Sequence, residues 1–316
     1  MTIKTALHQV TVLRLRILAA IAATILFSLN SFGQDSTSNA PQKWKYSILT
    51  NLTLTLNHYS GNWAGDEVSA FSWGWQFDGS AQRALTPWFT SINNLKLKFG
   101  QTSMKEENSS GKKEWESMKK SSDLIDFESV ARFTLKGFID PFVGARAVTQ
   151  FADNRAEKRI YLNPAVLTES FGAIKDIINN KFIDWNARIG GAVRQSIERN
   201  YQLPDSLRTS DKITNDGGLE FVTNFKAVSK DNRLSYIAQI KVYEAIFSSI
   251  AEEMEGSSNE KDWRYPDVTW ENTLGVTLTK YIMLNLYAQI LYDKEIDSDV
   301  RFRETVGLAL TYSIAN

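Results

Sequence analysis

Alternation of apolar and polar residues with a period of two constrains the fold of this chain more than any other feature. It begins at Trp44 and recurs to the end of the sequence, while long stretches of helical period are hard to find. In the first segment Leu52, Leu54 and Leu56 alternate with Thr53 and Thr55. A pattern of this kind is typical of a β-strand whose two faces meet different surroundings. The sequence therefore predicts an all-β protein.

About twelve segments, with an uncertainty of about two, carry this alternation and are predicted as strands. They lie near residues 44–56, 71–77, 89–99, 125–135, 143–151, 164–173, 183–197, 219–227, 233–246, 268–278, 284–290 and 302–312.

The lengths of the links between these segments depend on strand parity. The links after the even-numbered strands are short, at 84–87, 137–141, 229–232 and 280–281, with a longer member at 175–181. The links after the odd-numbered strands are mostly long and polar, at 58–67, 101–123, 153–163, 199–217, 248–266 and 293–299. Short turns on one side and long loops on the other are typical of a membrane-spanning barrel, and a soluble sandwich has no reason to sort them so. We therefore predict a transmembrane, antiparallel, up-and-down β-barrel of about twelve strands.

The first residues have the composition of an export signal. Met1 to Arg16 is basic and carries no acidic residue, and Ile17 to Leu29 is almost wholly apolar. A basic region, a short apolar run and a small residue near Gly33 predict a cleaved signal peptide at residues 1–34. An uncleaved membrane anchor is the alternative. Residues 35–316 are predicted to form the barrel domain, in the outer membrane of a Gram-negative bacterium.

The ionisable composition excludes several functions. The chain has no cysteine, two histidines, and 36 basic against 36 acidic residues. The absence of cysteine removes thiol nucleophiles and thiolate metal sites, and the balanced charge does not favour nucleic acid. We expect no cofactor, no metal site and no nucleic-acid partner.

Ten charged residues occupy the polar face of the predicted strands. A charged side chain facing lipid costs about 2–4 kcal/mol at the membrane midplane, so these residues are expected to line the lumen. Whether they line an open pore or close it with ion pairs is left open, although we favour a narrow, partly plugged lumen. They are Asp126, Glu128, Arg132, Arg146, Asp184, Arg188, Arg194, Glu271, Arg301 and Arg303.

Three other features are candidate sites with simpler explanations. His58 and Ser60 could form the nucleophile and base of a lipid hydrolase, but an interfacial polar position is the more common reason for such a pair. The alternating acids from Asp293 to Asp299 lack the glycine of a calcium loop, which favours a solvated turn. Most tryptophans fall on strands, where they favour an interfacial girdle, and the charged loops 101–123 and 248–266 are expected to be solvated. Trp63, Trp115 and Trp263 lie in predicted loops and are freer for ligand contact.

Several segments resemble a known family. They are 267–281, 285–293 and 306–312 near the C-terminus, 62–69 and 93–100 near the N-terminus, and 163–167 in the middle. The chain is similar over nearly all of residues 40–316 to an uncharacterised outer-membrane β-barrel family of Bacteroidota, the domain of unknown function 3078 type. The resemblance implies an outer-membrane location and no established activity, so it transfers no catalytic residue.

The function that fits these expectations is a passive pore, transporter or binding protein for a small solute, and not an enzyme. Its other partners would be membrane lipids and lipopolysaccharide. A barrel-embedded lipid hydrolase and a structural barrel that anchors a periplasmic partner are the alternatives. The oligomeric state is not predicted.

Overall fold

The computed structural model describes residues 43–60, 68–107, 113–135, 137–154, 159–201 and 209–315. The predicted signal peptide, residues 1–34, and Trp63 lie outside these ranges.

Twelve long strands form the wall of the molecule. Thirteen strands belong to one sheet, but Lys113–Trp115 pairs only with the end of its third strand and forms part of a loop. The wall strands are β1 Lys45–Asn57, β2 Ala70–Thr86, β3 Phe89–Glu107, β4 Lys119–Phe133, β5 Asp140–Thr149, β6 Ala165–Asn179, β7 Ile183–Tyr201, β8 Thr209–Val228, β9 Leu234–Ser248, β10 Asp267–Thr277, β11 Ile282–Asp293 and β12 Asp297–Ala315. The predicted number of strands is confirmed.

The sheet closes on itself. Each strand pairs antiparallel with the next along the chain, and β1 pairs with both β2 and β12. Closure removes the free edges that an open sheet would expose in hydrocarbon, where an unpaired backbone group costs several kcal/mol. The fold is therefore the predicted up-and-down β-barrel.

The only described helix is a single 3₁₀ turn, Asp262–Arg264. Among the described residues, no helix is long and apolar enough to cross a membrane.

Link lengths follow strand parity, which sets the orientation of the barrel. The described turn residues 87–88, 134–135, 137–139, 180–182, 229–233 and 278–281 lie at the end of the barrel where β1 begins and β12 ends. That end is periplasmic. The opposite, outer end carries the described loop residues 58–60, 68–69, 113–118, 150–154, 159–164, 249–266 and 294–296.

Several outer loops are shorter than the sequence predicted, because the strands continue into them. β3 extends to Glu107 and β8 begins at Thr209, so much of the predicted loops 101–123 and 199–217 is strand. The loop between β11 and β12 is reduced to residues 294–296. A strand that rises above the membrane has water on its outer side, so both of its faces are polar and the alternation is lost. The sequence pattern therefore did not predict these extensions.

The polarity of the barrel is the reverse of that of a soluble protein. Large apolar side chains project from the outer face and are exposed, including Leu54, Val143, Phe171, Ile189, Leu219 and Leu308. Buried positions on the inner face include Asp126, Glu128, Arg188 and Glu220. A contiguous apolar exterior of this kind would be unstable in water but suits lipid.

Tryptophans of the outer face satisfy their indole N–H groups locally. Trp75 Nε1 donates to Thr50 Oγ1 at 3.0 Å, and Trp185 Nε1 donates to Thr223 Oγ1 at 2.9 Å. Each bond joins neighbouring strands, so the polar part of the ring is paired while the rest contacts the apolar surroundings.

The strands β6 and β7 approach closely at one point, which requires glycine. Gly172 and Gly190 are paired across these strands. A Cβ on Gly190 would overlap the carbonyl oxygen of Phe171, so the backbone would have to move.

We predict that Gly190→Ala lowers the free energy of unfolding by about 1–3 kcal/mol, the usual cost of overpacking. Urea titration of the refolded barrel in lipid vesicles would measure it. Gly74→Ala is the matched control, because a Cβ there has no neighbour within 4 Å. An equal effect of the two substitutions would contradict the predicted clash.

Candidate functional site

Charged side chains from strands that are not neighbours meet inside the barrel. The first such contact joins Arg188 on β7 to Glu128 on β4, two strands with β5 and β6 between them. Arg188 NH2 also lies 3.6 Å from Glu220 Oε1 on β8. The Arg188 side chain is only 6% exposed and the Glu128 side chain 10%. One guanidinium therefore holds two buried carboxylates.

A second ion pair lies beside it and is bidentate. Arg146 on β5 donates from Nε and NH2 to the two carboxylate oxygens of Asp126 on β4, at 2.8 and 2.7 Å. Lys241 on β9 interacts electrostatically with Asp126 and Glu128. These residues form a layer of alternating charge, in which each carboxylate has a cationic neighbour.

A third contact crosses the barrel between β3 and β10. Lys96 Nζ lies 3.0 Å from Glu271 Oε2 and 3.4 Å from Gln239 Oε1. Tyr287 donates its hydroxyl hydrogen to Glu271 Oε1 at 2.7 Å, and Lys98 Nζ lies 3.9 Å from the centre of the Tyr287 ring. We call Lys96 and Glu271 the cross-lumen pair. Its side chains are 29% and 16% exposed, so it is more hydrated than the Arg188 cluster.

The outer mouth holds a further charged group. Arg194 NH1 lies 2.5 Å from Asp267 Oδ2, and NH2 lies 3.5 Å from Asp216 Oδ2. The guanidinium also stacks over the Tyr243 ring, at 4.3 Å from its centre. Partial burial, together with the carboxylates of Asp216 and Asp267, raises the pKa of Glu295 in the nearby outer loop to about 7.

The loop 249–266 packs onto this mouth through Trp263, while its acidic residues Glu252, Glu253 and Glu255 are exposed, as expected of a solvated loop. Trp263 is buried against Ala192, Tyr243 and Ala245, which lie on β7 and β9. Lys294 Nζ lies 3.3 Å from Asp262 Oδ1 and fastens the loop to the link between β11 and β12. Trp263 is therefore a packing residue and not the free ligand contact that its position in a polar loop predicted. Trp115, by contrast, is exposed.

Arg132 binds two carboxylates at the periplasmic end. It lies 2.6 Å from Asp140 and 2.8 Å from Asp176. These residues line a cleft of about 390 Å³ that also includes Phe138 and Lys175.

The remaining predicted lumen residues form no ion pair with the described residues of these charged groups. Asp184 is exposed near the periplasmic end of β7, opposite Lys226 in register. Arg301 is half-buried and Arg303 exposed on β12. Among the described residues, none of these three makes an ion pair. The structure thus brings seven of the ten predicted residues into charged contacts and leaves Asp184, Arg301 and Arg303 apart.

Several interacting residues were not singled out in the sequence. Lys96 and Lys98 stand on the polar face of the third predicted strand, and Glu220 separates Leu219 from Phe221, so the alternation contains the signal for all three. The missed residues are Lys96, Lys98, Asp216, Glu220, Gln239, Lys241, Asp267 and Tyr287.

The other candidates from the sequence lie at the outer end. His58 and Ser60 follow the last residue of β1 and are exposed. In the acidic loop, Asp293 and Asp297 accept backbone N–H bonds from Glu295 and Asp299 at 3.1 and 2.9 Å, as in local turns. No group of three or more potential ligands within the described ranges could hold a metal ion.

The closed wall, its apolar exterior and its polar interior define an outer-membrane β-barrel. A family model described as "Protein of unknown function (DUF3078)" matches residues 54–154, less than half of the chain. No curated protein matches the sequence.

Two solved structures are similar over most of the chain. An outer membrane channel from Pseudomonas putida F1 has a TM-score of 0.39 and 13% identity, covering 90% of this chain and 100% of its own. The translocator domain of the autotransporter NalP from Neisseria meningitidis has a TM-score of 0.34 and 8% identity, covering 96% and 97%. At these low scores, the assignment of the fold depends on the strand order of the chain itself.

We predict that Arg188→Ala destabilises the barrel by about 3–5 kcal/mol, because it leaves buried carboxylates without a cation. The free energy of unfolding in lipid vesicles would measure this loss. Arg233→Ala, which removes an exposed periplasmic guanidinium 4.0 Å from Asp231, is the control and should have no measurable effect. A loss within error of the control would show that water or Lys241 compensates the charges.

Proposed function

We propose that this protein is a narrow, charge-lined channel for small ionic solutes, whose constriction is set by the cross-lumen pair. The observation that carries the proposal is the contact between Lys96 and Glu271, because β3 and β10 are far apart in the strand order. A side-chain contact between them narrows the path through the barrel. In this proposal the ten charged residues predicted from the sequence line that path.

The cross-lumen pair is the contact best suited to open. Removing a cation from the buried Arg188 cluster would leave buried carboxylates with neither a cation nor water as a partner. Lys96 and Glu271 are more hydrated, and each has a second polar neighbour, Gln239 and Tyr287 respectively. Separation of the pair would thus cost less than separation of the Arg188 cluster, and a passing ion could replace either partner.

A closed structural barrel is the second candidate, and the extent of interior pairing favours it. A barrel whose interior charges are mostly matched needs no solute, and it would support a periplasmic partner through its turns. Both proposals include membership of the Bacteroidota family that the sequence resembles. The family-model match over residues 54–154 supports that membership. The two candidates predict different conductance, because a channel conducts ions and a closed structural barrel does not.

We predict that the wild-type barrel conducts weakly in planar bilayers, and that the double substitution Lys96→Gln and Glu271→Gln raises its single-channel conductance several-fold. The neutral amides keep the volume but lose the charge attraction that holds the constriction. Arg233→Gln, in a periplasmic turn, serves as the control and should conduct like the wild type. Absence of conductance in all three proteins would favour the structural barrel.

We further predict that ion selectivity depends on pH through Glu295. Because its pKa is raised to about 7, the side chain is mostly protonated at pH 5 and ionised at pH 8. The outer mouth becomes more negative over this interval, so the reversal potential in a KCl gradient should shift toward cation selectivity as the pH rises. Glu295→Gln should reduce this shift. If the reversal potential of the variant shifts as much as that of the wild type, titratable groups other than Glu295 cause the shift.

A further inference from the structure

The barrel wall is incompletely paired where its first and last strands meet. β1 and β12 pair from Ser47 opposite Ala315 up to Thr53 opposite Ala309. Both strands continue toward the outer end, and there each pairs only with its other neighbour, β2 or β11. No backbone hydrogen bond between described residues joins 54–57 to 297–308. The outer half of this seam is therefore an opening in the wall.

The rim of the opening is apolar and exposed. Leu56 on β1 and Val306 on β12 are 65% and 64% exposed, and they would face each other if the pairing continued. Outward side chains on the fully paired wall are exposed to a similar degree, as are Phe171 at 65% and Ile189 at 59%. The rim therefore differs from the rest of the outer face in its missing backbone pairing and not in its exposure. The rim therefore offers apolar contact to a chain that enters from the membrane.

Two arginines lie on the inner face of β12 beside this opening. Arg301 and Arg303 alternate with Phe302, whose side chain projects outward. Within the described part of the chain neither arginine makes an ion pair, and Arg301 Nε is buried without a hydrogen-bond partner. The inner-face arginines Arg132, Arg146, Arg188 and Arg194 all bind carboxylates. Among the described inner-face arginines, the two that make no ion pair thus both lie beside the seam.

From these observations we infer that the seam is a lateral binding site for a single-chain amphiphile with an anionic head, either a carboxylate or a phosphate. The head binds Arg301 and Arg303 on the inner face, where charge-assisted hydrogen bonds are strong. The acyl chain passes between Leu56 and Val306 into the membrane. Arg301 and Arg303 also belong to the residues proposed to line the ion path, but binding of an amphiphile at the seam requires neither the cross-lumen pair nor ion conduction.

Binding can be measured with the full chain in phosphatidylcholine nanodiscs and a fluorescent long-chain fatty acid as probe. Loss of charge-assisted hydrogen bonds in the double variant Arg301→Gln and Arg303→Gln is expected to weaken binding about tenfold or more. Lys226→Gln, on the inner face of β8, is the matched control and should bind like the wild type. Equal affinity of the double variant, or no binding by the wild type, would overturn the inference.

The seam itself is tested by blocking it. Because the chain has no cysteine, a single introduced cysteine takes a bulky maleimide at one place only. Labelled Val306→Cys should lose the probe, whereas labelled Leu274→Cys, on the paired wall, should retain it. If both labelled proteins bind equally, the acyl chain does not pass through the seam.

Competition distinguishes the contributions of head and chain. A lysophosphatidic acid and a fatty acid should both displace the probe, and their relative strength separates phosphate from carboxylate. Inorganic phosphate, which has no chain, and octyl glucoside, which has no charge, should displace it poorly. If octyl glucoside displaces the probe equally well, the arginines do not contribute to binding. Conductance is recorded separately, so failure of the proposed channel leaves this result interpretable.

Discussion

Backbone hydrogen bonding in a medium without water is the constraint on which the rest of this structure depends. Each unpaired N–H or C=O in hydrocarbon costs several kcal/mol, so a membrane-spanning sheet must close. Closure of twelve strands brings β1 against β12 and turns alternate residues toward the lumen. The inner and outer faces of each strand then meet different surroundings, the lumen on one side and lipid on the other. The reversed polarity of the barrel follows from closure within a bilayer, because the outer face then contacts lipid and the inner face does not.

The interior charges are a consequence of the width that twelve strands impose. A barrel of about eight strands can be filled by its own side chains, whereas a wider one leaves space. Here long charged side chains reach across part of that space, as in the contact between Arg188 and Glu128. The ends of most of them meet an opposite charge, so these charges are neutralised without dense packing. A lumen of this kind can be narrow and polar at once, which is the property that a selective channel for ions requires.

The sequence predicted the strands and faces well because both depend on local alternation. Arg146 points inward for a reason visible in the sequence, since Ala145 and Ala147 are its outward neighbours. Contact partners were not predictable. Lys96 and Glu271 are 175 residues apart, and their meeting depends on the stagger of the sheet, which no local pattern encodes. Trp263 shows the same limit, because an aromatic residue in a polar loop gives no sign of whether the loop folds inward.

The seam and the interior pairing are best understood together. Among the described residues, each inner-face arginine that has paired strands on both sides binds a carboxylate on another strand, as Arg146 binds Asp126. Arg301 and Arg303 lie where β12 pairs only with β11, and no described acidic residue forms an ion pair with them. The two arginines and the apolar rim therefore lie at the same interruption in the backbone ladder. An anionic amphiphile would satisfy both, because its head supplies the missing carboxylate or phosphate while its chain covers the apolar rim.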